Sequence, residues 1–154
     1  MDGAVERRVP VRDVQALLRH RAPFLFVDSA EVGEDGRTAW GMHAFAADEA
    51  YFMGHFPDDP IVPGVILLEF VAQTANVLLS HRAGRRVSGY LVGVDEARFN
   101  RSVRPGQTVV AEVRLDDVRA ERIVGFKASI LLGGRRCMRA SVNIHPGDWN
   151  FQGD

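Results

Sequence analysis

The chain has 154 residues, 46% of them hydrophobic and 25% charged, with a formal net charge of −1. That balance suits one soluble globular domain with a sizeable core and excludes a general electrostatic pull toward nucleic acid or an acidic membrane surface. A single cysteine, Cys137, excludes an internal disulfide framework, and the N-terminal MDGAVERRVPVRD lacks the apolar core of a signal peptide; with no apolar run near the ~18 residues of a membrane span, a cytoplasmic protein is expected.

Val14, Leu17 and Leu18 fall at i, i+3, i+4 and predict a short helix over residues 11–19. Phe24 to Val32 reads as a strand, EDG at 34–36 as a turn, and RTAWGMHAF as a second strand. AADEAYF, at 46–52, reads as a loop or short helical turn. A loop containing Pro57, Pro60 and Pro63 then leads into a long apolar helix, expected over residues 63–80. Beyond it SGYLVGVDEARF reads as a bent strand and RPGQ as a turn. Val109, Ala111, Val113 and Leu115 alternate with more polar partners, as do Val124, Phe126, Ala128, Ile130 and Leu132, and again Met138, Ala140, Val142 and Ile144. Such period-2 runs describe an antiparallel sheet with one buried and one wetter face. One sheet must then cover one apolar helix, which is an α+β fold with a curved sheet around a central helix. The whole of 1–154 is taken as one domain, and the tail 146–154 carries no pattern.

The central helix is apolar nearly all round, the mark of a buried helix. Its polar exceptions include Glu69, Gln73, Asn76 and Ser80, which form one narrow stripe with Thr74 off it, either the solvent edge of the helix or a set of buried polar groups. A buried, unpaired carboxylate responds by holding its proton, which suits an acid catalyst. At the helix start the N–H groups of Gly64 and Val65 have no intrahelical partner, and the helix dipole adds positive charge. Gly64 lets a ligand oxygen approach closely, so a developing oxyanion would be stabilised there; a tight Pro-Gly turn without a ligand is the plainer reading. His55, in the proline-braced loop, taken alone reads as a solvated histidine. Together His55, Gly64 and Glu69 supply a base, oxyanion donors and an acid. The histidines at 20, 43, 55, 81 and 145 show no metal-binding spacing, and no phosphate-binding glycine loop is present.

GHFPDDPIVPGVILLEFVAQ closely resembles the signature of the 3-hydroxyacyl-acyl-carrier-protein dehydratases, the FabZ type, approximately GHFPxxPxxPGVxxxEaxAQ with a usually small. LLRHRAPFLFVD resembles the family's LLPHRxPFLLVD, and VGVDEARFNRSVRPGQ its GIDxARFRxPVxPGD; the likeness runs in order over about residues 14–145. The resemblance implies a hot-dog fold and a homodimer with shared sites, with assemblies of dimers left open. It implies His55 of one protomer as base, Glu69 of the other as acid, and the Gly64 N–H as oxyanion donor. The Ile61 carbonyl would orient His55, and Gln73 follows the acid by one turn. No metal or organic cofactor is expected beyond the phosphopantetheine arm of acyl carrier protein. An acyl tunnel is expected along the helix, with Phe52, Phe56, Phe70 and Asn76 as candidate wall residues. The acidic carrier would dock on Arg98, Arg101 and Arg104, or on Arg85 and Arg86.

Four residues depart from the family pattern: Phe70 and Asn76 stand where small residues are frequent, Ala22 replaces an aromatic, and Ser102 a proline. They leave the chemistry intact and open the substrate, primary fatty acid or specialised polyketide. The competing readings are a hot-dog thioesterase, which lacks the HFPxxPxxPG loop, a dehydratase/isomerase, which carries aspartate in place of Glu69, and a non-catalytic acyl-binding or partner subunit, which has no need of both His55 and Glu69.

Overall fold

The computed structural model describes residues 6–119 and 122–147, so the expectation about the tail falls, from residue 148 on, outside the described residues. Seven strands form one sheet: β1 (Arg8–Pro10), β2 (Ser29–Gly33), β3 (Thr38–Ala44), β4 (Gly89–Phe99), β5 (Thr108–Val118), β6 (Val124–Leu132) and β7 (Arg135–Pro146). Their order is β1-β2-β3-β5-β6-β7-β4, with every neighbouring pair antiparallel. A short helix α1 (Val14–Leu17) precedes β2, and a single turn of 3-10 helix (Ala50–Met53) precedes the long helix α2 (Gly64–Ala83). The sheet wraps α2, which packs against β2 through β7. This is the hot-dog arrangement.

The alternation expected for the second half is present. Val109, Ala111, Val113 and Leu115 on β5, with Val124, Phe126, Ala128 and Ile130 on β6, point into the core around α2. β7 breaks the alternation at Asn143, buried between Val142 and Ile144, and at Cys137. Its register slips between Ile130↔Met138 and Leu131↔Arg136, so Cys137 is bulged and buried beside Met138. There Cys137 Sγ lies 3.4 Å from Ile130 O, and burial pushes the thiol above its ordinary pKa.

Three boundaries differ from expectation. The helix expected at 11–19 shrinks to four residues, because the Asp13 carboxylate caps its start, accepting from Gln15 N (2.9 Å) and Ala16 N (3.3 Å), and Leu18 is already extended. The strand expected from Phe24 begins only at Ser29: the Gln73 side chain, not a neighbouring strand, takes Phe26 N–H (2.8 Å) and Phe24 O (2.9 Å). The helix expected to end at residue 80 continues to Ala83, where Gly84, at φ 64°, turns the chain and donates back to His81 O and Ser80 O.

At 20 residues α2 is long and apolar enough to cross a membrane by length and composition, contrary to the expectation that no run approaches that limit. The enclosing sheet explains its character: Leu67, Phe70, Val71, Ala75, Val77 and Leu78 are all buried. A Cβ at Gly41 of β3 would run into the Thr74 side chain, so this glycine lets sheet and helix approach closely. The two sheet edges are β1 and β4, and β4 exposes Tyr90, Leu91, Val94 and Phe99.

Candidate active site

The loop before α2 is built around His55. His55 Nδ1–H donates to Ile61 O at 3.0 Å, and Ile61 N–H donates to His55 O at 3.0 Å. A carbonyl only accepts, so Nδ1 carries a hydrogen, and in the neutral ring the lone pair is on Nε2. Phe56 stacks on the imidazole with ring centroids 4.1 Å apart, and Val62 N–H anchors the loop to Val103 O at 2.7 Å. His55, Ile61, Gly64, Phe99, Arg101 and Val103 help line a cavity of about 330 Å³. Among the described residues neither the Gly64 nor the Val65 N–H donates to a backbone carbonyl, so the positive end of α2 opens beside the histidine. The Phe99 ring lies over Gly64, 3.0 Å from where a Cβ would stand.

Glu69 belongs to a second constellation. Gln73 Nε2 donates to Glu69 Oε1 at 3.0 Å, and His20 Nε2 lies 3.3 Å from the same oxygen. Glu69 is absent from the lining of the His55 cavity. Five residues along a helix give a rotation of about 140° from Gly64. Within one chain, therefore, Glu69 turns away from the Gly64 end of α2 and does not join the cavity of His55. Beside Glu69 a separate cavity of about 340 Å³ is lined by Arg19, His20, Asn76, Ser88, Gly89 and Tyr90.

The polar stripe is not a solvent edge. Gln73, Asn76 and Ser80 are 1%, 2% and 0% exposed. Gln73 holds the 24–26 segment, Asn76 Nδ2 donates to Val87 O at 3.0 Å, and Ser80 Oγ donates to Leu17 O at 2.9 Å while accepting Val87 N–H at 3.0 Å. Each is a buried polar group whose partner ties a loop to the helix.

The remaining candidates divide. Phe52 and Phe70 are buried in the core and Phe56 is half exposed on His55; none of the three lines either cavity. Of the docking arginines, Arg98 is engaged by Glu96 at 2.8 Å and Arg104 by Asp59 at 2.6 Å. The Arg98 hydrogen bond, with Arg139 beside it, holds the Glu96 carboxyl below the usual carboxylate range. Arg86 donates to Ala16 O and Gln15 O, both at 3.2 Å, closing the end of α1, and Arg85 Nη1 lies 3.4 Å from Arg86 O. Arg101 has no ion pair among the described residues and lies beside His55. His20 was missed by sequence reasoning, although it stands in the HR pair of LLRHRAPFLFVD. Among the described residues no group of three or more His, Cys, Asp or Glu side chains could hold a metal ion.

The FabA-like domain family model matches residues 18–141. The 3-hydroxyacyl-[acyl-carrier-protein] dehydratase FabZ of Chloroflexus aggregans is 46% identical over 112 residues, spanning 71% of this chain and 76% of that one. The FabZ of Klebsiella pneumoniae is 36% identical over 135 residues, spanning 86% and 89%. Among solved structures, a chain of the dehydratase heterocomplex ApeI:P from Xenorhabdus doucetiae matches with a TM-score of 0.72 over 92% of this chain and 93% of that one; at 18% identity this concerns the fold alone.

Proposed function

The chain belongs to the FabA-like domain family, and from that membership we propose that it dehydrates 3-hydroxyacyl thioesters on acyl carrier protein to trans-2-enoyl thioesters in fatty-acid biosynthesis, with His55 as base and Glu69 as acid. The observation that carries the roles is the bond from His55 Nδ1–H to Ile61 O, which leaves Nε2 unprotonated beside the open N–H groups of α2. Nε2 removes the α-proton, which the thioester acidifies. Charge develops on the thioester oxygen and is met by the Gly64 N–H and the dipole of a 20-residue helix. Glu69 gives its proton to the β-hydroxyl, the C–O bond breaks, and water leaves. No metal or organic cofactor enters this scheme beyond the carrier's phosphopantetheine arm.

Glu69 does not line the cavity of His55 in one chain, so the reading takes each complete site from two copies: His55 and Gly64 from one protomer, Glu69 from its partner. The β4 edge, with exposed Tyr90, Leu91 and Val94, offers the apolar surface a second copy would cover. Arg101 is the favoured contact for the acidic carrier, since Arg98 and Arg104 already face carboxylates. The protein is taken as a single-domain cytoplasmic enzyme that binds neither nucleic acid nor membrane.

The test is incubation with 3-hydroxybutyryl-carrier protein, with the enoyl product followed by mass. His55→Ala and Glu69→Gln should each abolish turnover in a folded protein. Full activity in either variant overturns the assignment of roles.

A further inference from the structure

Two side chains face one oxygen of Glu69. Gln73 Nε2 is 3.0 Å from Oε1, and His20 Nε2 is 3.3 Å from the same atom. Their neighbours decide which atom carries each hydrogen. The Gln73 amide cannot be reversed, because its oxygen accepts Phe26 N–H at 2.8 Å and its nitrogen donates to Phe24 O at 2.9 Å. The nitrogen facing Glu69 is therefore a donor. In His20, Nδ1 is buried with no partner among the described residues. A buried N–H without an acceptor is rarer than an unclaimed lone pair, so the ring hydrogen belongs on Nε2, on the side of the ring that faces Oε1.

Oε1 thus accepts from Gln73 and has His20 Nε2 3.3 Å away, in ion-pair range but short of a formed hydrogen bond, and no hydrogen bond reaches Oε2 among the described residues. His20 is itself braced: the Arg21 guanidinium beside it takes Leu18 O at 2.9 Å, His20 O at 2.6 Å and Gln15 O at 3.1 Å. From this geometry we propose that His20 is a positioning residue for dehydration, which holds its ring nitrogen against Glu69 Oε1, already the acceptor of Gln73, and so leaves the transferable proton to Oε2. The inference rests on Glu69 being the acid. As the Oε2–H bond breaks and the proton passes to the departing hydroxyl, negative charge spreads to Oε1, where the Gln73 N–H tightens and the His20 Nε2–H closes into a hydrogen bond. These bonds strengthen only as the carboxylate forms, so His20 acts on kcat and not on KM.

Three variants of the full-length protein test this with 3-hydroxybutyryl-carrier protein as substrate. In His20→Gln the amide nitrogen takes the place of Nε2 and can still donate to Glu69. In His20→Asn the side chain stays polar but ends one bond short. His20→Ala removes the donor outright. Expected are a kcat within about threefold of wild type for His20→Gln, and a kcat about 10- to 100-fold lower for His20→Asn and His20→Ala, with KM within about twofold. Wild-type kcat in His20→Asn overturns the proposal, as does a folded His20→Gln as impaired as His20→Ala. A wild-type protein that forms no enoyl product overturns the reaction itself; one that turns over alongside an unimpaired His20→Asn overturns only the role of His20.

Discussion

His55 and Ile61 hold each other twice, by His55 Nδ1–H to Ile61 O and by Ile61 N–H to His55 O, both at 3.0 Å. The hydrogen bond that sets the imidazole is thus made to backbone. Its tautomer depends on a carbonyl that no side-chain change removes. Ile61→Val should therefore leave kcat nearly unchanged, while His55→Ala should lower it by at least about 10²-fold, the usual worth of a general base. Steady-state assays on the two purified variants check the contrast. A large loss in Ile61→Val would mean that the side chain, not the carbonyl, sets the ring.

Gln73 joins stability to chemistry, since one amide holds Phe24 O, Phe26 N–H and Glu69. Gln73→Leu keeps the volume but strands a buried N–H and a carbonyl. It should cost about 1–3 kcal/mol for each group left without a partner, read by urea denaturation, and should lower kcat because Glu69 loses a donor. Stability at the wild-type level would show that water or a shifted loop replaces the amide.

Gly64 and Phe99 are coupled through space. A Cβ at residue 64 would stand 3.0 Å from the Phe99 ring, so Gly64→Ala should destabilise by about 1–3 kcal/mol through overpacking. Phe99 is half exposed and can be shortened at modest cost. In the double variant Gly64→Ala/Phe99→Ala the two penalties should not add, giving an interaction of at least about 0.5 kcal/mol in a double-mutant cycle. Additive penalties would mean that the ring swings aside freely.

The parts legible in the sequence were those governed by a period: the apolar helix and the alternating strands. Where a side chain replaced a regular partner, the pattern misled. Phe24 to Asp28 has the composition of a strand, but a glutamine 47 positions away from Phe26 takes its hydrogen bonds. Asp13 moved the start of α1 through a cap that competes with propensity. Charge spacing also could not separate Arg101 from Arg98 and Arg104, because Glu96 and Asp59 meet those two only in the folded chain. His20 was hidden for the same reason: β2, β3 and the proline-braced loop lie between it and Glu69, and no spacing rule links positions 20 and 69.

The two-copy site carries its own test. Within one chain the His55 cavity lacks Glu69, and Glu69 faces His20 and Gln73 instead. If each complete site draws on two protomers, His55→Ala and Glu69→Gln are inactive for complementary reasons. In a mixed dimer one site carries both lesions and the other carries neither. Equal amounts of the two variants, unfolded and refolded together, should place half of the chains in mixed dimers with one working site each. Turnover should recover to about a quarter of wild type, while each variant refolded alone stays inactive. Differently tagged chains, purified through both tags, would raise the recovery to about half. No recovery from a doubly tagged dimer would place both groups in one chain's site and overturn the two-copy reading.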